Sequence, residues 1–324
     1  MSKKILCFAV GALFITLCLP AYAQQPKLHR IGVIMPGEAL STTIDGLRQG
    51  LKDLGLQEGK QYTLTIKDTQ GEVKAATQAA KTLEQEKVDM IYALTIPAAA
   101  AAKESTAKIP IVFSVGSDPV AGGLVDSFAK PGGRLTGVHY LVKDLTAKRL
   151  ELLKEILPKL SRVIIFYDPG ERVSAESAEL ARQEAKRLGL RFVEQHATSV
   201  DQLRSALQAL KAGEADAYFY TPTTTVLSQA QLVIDTAKAK KLPTMFQDQS
   251  LVERGALASY GQNYREIGRL SAKYVQRVLS GTLPGDLKIE TVDNVELAIN
   301  LQTAKQLGVS IPPQLLARAK KVFK

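Results

Sequence analysis

Three carboxylates (Asp118, Glu171, Asp248) and a set of hydroxyls that includes Ser41, Thr95, Ser117 and Thr223 are the side chains of this sequence best placed to do chemistry. The carboxylates offer an acid/base pair or a counter-charge for a cation, and the hydroxyls offer hydrogen bonds to a polar ligand. All of them fall in short segments that join an apolar run to a helical pattern: 36–41, 95–98, 116–119, 168–174, 221–225 and 247–250. Each segment opens a helix whose free N–H groups favour an anionic partner. For any one residue, capping the helix is the commoner role. As a set drawn from both halves of the chain, they describe a binding cleft.

Machinery for turnover is missing from the pattern. His29, His139 and His196 have no spacing that would place two on one metal. There is no P-loop, no strand-linked G-x-G-x-x-G, no G-x-S-x-G and no H-E-x-x-H. The expectation is a receptor with no cofactor, no metal and no catalytic residue. A periplasmic enzyme using the cleft carboxylates is the rival from another class, and a ligand sensor would share the same binding chemistry.

The elements that must position these residues alternate. Apolar strands at 31–35, 62–67, 89–94 and 111–114 are separated by helical patterns, and the order returns with strands at 163–167, 191–195, 217–220 and 244–246. One long helix is expected over 227–240. Short apolar strands alternating with helices imply parallel sheets covered on both faces, which bind ligands at the carboxyl ends of their strands. The halves also echo one another. Lys108-Ile-Pro-Ile-Val-Phe113 returns as Lys241-Leu-Pro-Thr-Met-Phe246, Leu54-Gly-Leu56 as Leu188-Gly-Leu190, and Asp89 to Tyr92 as Asp216 to Tyr218. One supersecondary plan used twice gives two similar lobes with a cleft between them.

The N-terminus sets the expected compartment. Lys3 and Lys4, an apolar run over 5–19 and Ala21-Tyr22-Ala23 form a cleavable signal peptide, so 1–23 are excluded from the fold. Leu17 is too large for the position before a lipid-modified Cys18, so a soluble protein of the periplasm is expected. Both cysteines, Cys7 and Cys18, leave with the signal, which removes disulfides and thiolate chemistry. The net charge of +10 falls to about +8 with the loss of Lys3 and Lys4. The remaining Lys and Arg alternate with acids along helices, so no nucleic-acid partner is expected.

Five stretches together carry a resemblance: Phe113-Ser-Val-Gly-Ser-Asp-Pro-Val-Ala-Gly-Gly-Leu-Val125, Lys130-Pro-Gly-Gly-Arg-Leu-Thr-Gly137, Val252-Glu-Arg-Gly-Ala-Leu-Ala258, Thr95-Ile-Pro-Ala98 and Leu152-Leu-Lys-Glu-Ile-Leu-Pro158. Over essentially the whole mature chain the sequence resembles ABC-transporter substrate-binding proteins related to the tryptophan-binding TrpX group. The resemblance implies an α/β, type I periplasmic-binding-protein fold: two doubly wound parallel-sheet lobes joined by three crossing segments. Expected bounds are 24–140 plus 262–292 for lobe 1 and 141–261 plus 293–324 for lobe 2. It implies a monomer that closes on a small amino-acid-like or carboxylate ligand and docks on an inner-membrane ABC permease with its ATPase. By position, Thr95 with the amides of Ile96 and Ala98, and Ser117, resemble carboxylate-holding loops. Glu171, Thr223 and Asp248 face them, Asp248 resembling an acid suited to an ammonium group. After Pro222 the relatives' acidic Thr-Asp-Asn is replaced by Thr223-Thr224-Thr225. Any aromatic wall is expected from Tyr140, Tyr167 or Tyr260, with packing of the crossing segments the equal alternative for Tyr140 and Tyr260.

Overall fold

A computed structural model describes residues 27–211 and 213–324; the signal-peptide assignment lies outside them. The first unit runs β1 (His29–Met35), α1 (Ser41–Asp53), β2 (Tyr62–Asp68), α2 (Val73–Gln85), β3 (Met90–Leu94), α3 (Ile96–Ser105), β4 (Ile111–Val115) and β5 (Leu135–Tyr140). The second runs α4 (Thr146–Ile156), β6 (Arg162–Tyr167), α5 (Arg172–Arg187), β7 (Arg191–His196), α6 (Val200–Ala209), β8 (Ala217–Phe219), α7 (Thr224–Ser228), α8 (Ala230–Ala239), β9 (Thr244–Phe246), α9 (Gln249–Glu253) and β10 (Ala258–Gly261). The chain then crosses back for α10 (Tyr264–Leu279) and β11 (Glu290–Val292), and ends with β12 (Glu296–Asn300), α11 (Leu301–Leu307), α12 (Pro313–Arg318) and β13 (Lys321–Phe323).

Two sheets result, ordered β11-β5-β4-β3-β1-β2 and β13-β12-β10-β9-β8-β6-β7. The run β4-β3-β1-β2 in one is matched by β9-β8-β6-β7 in the other, and this is the repeat heard in the sequence. Its details are physical. Asp89 accepts a bond from the Arg30 N–H at 2.7 Å, and Asp216 accepts one from the Arg162 N–H at 2.8 Å, each tying the start of one strand to its neighbour. Gly55 follows α1 and Gly189 follows α5, the helix after the matching strand β6, with φ of 83° and 68°, the region glycine enters without strain. The sheets are parallel except at one place, where β12 runs antiparallel to β10.

Helix α10 packs along α1 at unusually short range. A Cβ at Gly50 would stand 2.7 Å from the Ala272 methyl, and one at Gly46 or Gly268 would collide with carbonyls of the facing helix. This close seating carries Tyr264, the first residue of α10, back to the cleft. The helix expected over 227–240 is two helices, α7 and α8, broken at Gln229. The Ser228 hydroxyl donates to the Thr225 carbonyl at 2.7 Å, drawing that acceptor away from a regular ladder. Among the described residues no helix is long and apolar enough to cross a membrane.

Candidate functional site

Loops at the carboxyl ends of the parallel strands meet around one cavity, which holds about 440 Å³ of empty space, mouth included. From the first unit come Thr95, Ile96 and Pro97 after β3, Gly116 and Ser117 after β4, Tyr140 at the end of β5, and Tyr264. From the second come Glu171 and Val173 after β6, Tyr220, Pro222, Thr223, Thr224 and Leu227 after β8, and Gln247 after β9. Val142, on the first crossing, closes one side. The cavity opens into a larger vestibule of about 1160 Å³ edged by Asp118, Phe128, His139 and Lys143.

The local chemistry explains the shape. Thr95 sits at φ 106°, a strained value for a β-branched residue, and its hydroxyl accepts from the Ala98 N–H at 3.4 Å to cap α3. Such strain persists only where the surroundings enforce it, and here it turns the β3–α3 loop into the cavity. Gly116 must be glycine: a Cβ there would strike Val142 and stand 2.9 Å from Tyr140 Cε2. The rings of Tyr140 and Tyr264 contact each other at 5.4 Å between centroids, and Tyr220 stacks on Phe246 at 5.5 Å. Gln247 donates through Nε2 to the Tyr264 hydroxyl.

Glu171 accepts from the Thr224 N–H and hydroxyl, each at 2.8 Å, and from the Thr223 hydroxyl at 3.3 Å. Burial pushes its carboxyl above the usual range, against those bonds. A carboxylate therefore stands beside Thr223-Thr224, supplied by the loop after β6.

Of the sequence-derived residues, the cavity brings together Thr95, Ser117, Tyr140, Glu171 and Thr223. Asp118 borders only the vestibule, where its carboxylate accepts from the N–H groups of Val120 (2.8 Å) and Ala121 (3.2 Å). Three placements are corrections. Ser41 is exposed and lines neither chamber, because a 3-10 turn at Glu38–Leu40 fills the loop before it. Ala98 is buried in the core and its N–H is already taken by Thr95. Asp248, expected to meet an ammonium group, is 1% exposed and lines neither chamber. It caps α9, accepting from the Ser250 N–H at 3.2 Å and from the Ser250 hydroxyl, while its Oδ1 is buried without a partner.

The aromatic wall also differs from expectation. Tyr167 instead meets His196 Nε2 at 3.2 Å, and Tyr260 packs with the apolar core of the second unit. Tyr220 and Tyr264 take their places. Sequence offered a signal for each: Tyr220 immediately precedes the 221–225 loop, and Tyr264 follows Asn263, whose side chain caps α10.

Burial raises the Asp248 carboxyl to about 6 from 3.8. A carboxyl raised in the fold favours folding while protonated, so its contribution is lost as pH rises through about 6 and fully present below about 4. Asp248→Asn keeps an acceptor for Ser250 and removes the charge. The variant is expected to be more stable than the parent at pH 7, by as much as about 3 kcal/mol, with the difference vanishing near pH 4. Denaturant titrations at both pH values check this; equal stability at pH 7 contradicts it.

The family model described as ABC transporter substrate binding protein matches residues 30–323. A tyrosine-binding protein of Clostridioides difficile (strain R20291) is 29% identical over 289 residues, spanning 88% of this chain and 83% of the relative. The solved structure of a conserved domain protein from Vibrio cholerae superposes with a TM-score of 0.81 at 36% identity, over 91% of this chain and 100% of that one. An ABC domain from Streptococcus pneumoniae in complex with L-Trp shares the fold, with a TM-score of 0.79 at 24% identity over 92% of this chain and 100% of that one. The chain belongs to the ABC transporter substrate-binding protein family and has its type I periplasmic-binding-protein fold.

Proposed function

We propose that this family member is the periplasmic receptor of an ABC importer for an amino acid with a bulky, aromatic side chain. The observation that carries the reading is that one cavity is lined by both lobes, with three tyrosines and an apolar surround facing hydroxyls and a half-buried carboxylate. Ile96, Pro97, Val142, Val173, Leu227 and the rings of Tyr140, Tyr220 and Tyr264 would cover the ligand's apolar part. Glu171 would pair with its ammonium group, and Thr95, Ser117 and Thr223 would supply hydrogen bonds. The tyrosine-binding relative and the L-Trp complex support the same ligand class. In this reading the exported protein acts as a monomer, performs no chemistry and presents its closed form to a membrane permease, whose ATPase supplies the energy.

Native mass spectrometry of the purified protein, followed by calorimetry with L-tyrosine, L-tryptophan and a sugar alcohol, tests it. Micromolar or tighter binding of an aromatic amino acid, worth about 8 kcal/mol or more, is expected, with no heat from the sugar alcohol. Binding of the sugar alcohol alone would sink the assignment.

A further inference from the structure

Arg149, on the first turns of α4, has no place in the site as described so far. It is fully buried, and it is the largest such side chain among the described residues. Its guanidinium donates to three acceptors: the Val142 carbonyl at 2.9 Å, the Thr146 hydroxyl at 3.1 Å and Gln247 Oε1 at 3.4 Å. All three are neutral, and its Nε is buried without a partner. No carboxylate lies within ion-pairing distance of it among the described residues. The titratable groups that act on it are the hydroxyls of Tyr220 and Tyr264. Both are held neutral at pH 7, because burial pushes them further above their ordinary range. Burial lowers the guanidinium to about 10, so it remains a cation at pH 7.

An isolated charge in a protein interior is expensive, and buried arginines are ordinarily paired. This one is unpaired, yet four residues around it, Val142, Gln247, Tyr220 and Tyr264, all line the ligand cavity. The cost is concentrated where a ligand can offset it. A unit charge screened only by protein acts over several ångströms, so contact with the ligand is not required.

We propose that Arg149 is a positioning residue whose unpaired charge makes the closed cleft select ligands with an anionic group, the ligand's carboxylate being the counter-charge the protein omits. Gln247 is its relay: it holds Arg149 through Oε1 and Tyr264 through Nε2, and so ties the charge to the cavity wall. Glu171 and Arg149 then give the cavity one group of each sign, the pattern a zwitterion complements. The inference rests on the amino-acid reading above and adds that the carboxylate is required, whichever side chain the ligand bears.

The test compares L-tyrosine with L-tyrosinamide, which keeps the ring and the ammonium group but loses the negative charge. Calorimetry is run on the parent protein, Arg149→Lys and Arg149→Met. The parent is expected to bind the acid roughly tenfold or more tighter than the amide. Arg149→Lys retains most of that ratio, and Arg149→Met brings the two affinities within about threefold, chiefly by weakening the acid. A purely structural arginine would weaken both compounds alike and leave the ratio standing, which would overturn the proposal. Equal binding of acid and amide by the parent would overturn it too, with no need for Arg149→Met to fold. If the parent binds neither compound, it is the amino-acid reading that fails.

Discussion

Ser228→Phe is expected to weaken ligand binding by about 1–3 kcal/mol, roughly five- to a hundredfold, while leaving thermal stability unchanged. Ser228 ends α7 and lines neither chamber, so the effect would come from the lobes rather than from lost ligand contact. From the second unit it faces two glycines of the first. A Cβ at Gly37 would stand 2.8 Å from Ser228 Cα, and one at Gly71 would stand 2.9 Å from Ser228 Oγ. Beside them Gln229 reaches Gln70 at 3.4 Å and Arg254 reaches Glu38 at 4.0 Å. The structure is therefore closed, with backbone against side chain at the rim and no room for a ring. In an open form a phenylalanine at 228 would lie in solvent and cost nothing. Calorimetry and a melting curve on Ser228→Phe read the two effects separately. Parent-like affinity would show that closure does not pass through this contact.

Glu171→Gln is expected to cost about 1.5–3 kcal/mol of affinity for an amine-bearing ligand, ten- to a hundredfold or so. The glutamine keeps an acceptor for Thr223 and Thr224, so α7 stays capped, and only the charge facing the ligand is lost. The pH dependence has a definite sign. Burial raises the Glu171 carboxyl in the free protein, whereas a ligand ammonium favours the ionised form and lowers it in the complex. Affinity should therefore be highest above the raised value and fall as pH drops through it. Glu171→Gln should bind weakly with little pH dependence over the same range. Asp248, whose carboxyl burial raises to about 6 but which lines neither chamber, is the control: Asp248→Asn should retain the parent's profile. A Glu171→Gln variant that matches the parent at neutral pH would reduce Glu171 to a helix cap.

The fold was legible in the sequence because its signals are local and repeated. Lys108 to Phe113 and Lys241 to Phe246 lead into the equivalent strands β4 and β9, and Asp89 and Asp216 make the same bond to a neighbouring strand. The loops that meet at the cavity were legible too, since the carboxyl ends of parallel strands are where ligands go. What stayed hidden was direction. Asp248 and Glu171 are both acids at the start of helices, and only tertiary packing turns one into the core and the other to the cavity. Tyr260 and Tyr140 lie in similar crossing regions, but strand alternation turns Tyr260, partly buried, against the second unit's core. Arg149 did leave a trace. It interrupts the apolar stripe of α4, between the buried Thr146 and Leu153, where a charged residue is out of place unless something meets it.

Small-angle scattering with and without ligand tests the central claim most directly, that two lobes close on a ligand held between them. Moving an open–closed balance from 1:99 to 99:1 takes about 5.5 kcal/mol of differential affinity, and a micromolar ligand supplies about 8.2 kcal/mol in all. The ligand-free protein should therefore rest mainly open, with a larger radius of gyration than the structure described above. Saturation with the aromatic amino acid it binds should shrink that radius to the value calculated from the closed structure. A radius that stays the same at saturating ligand would contradict the account.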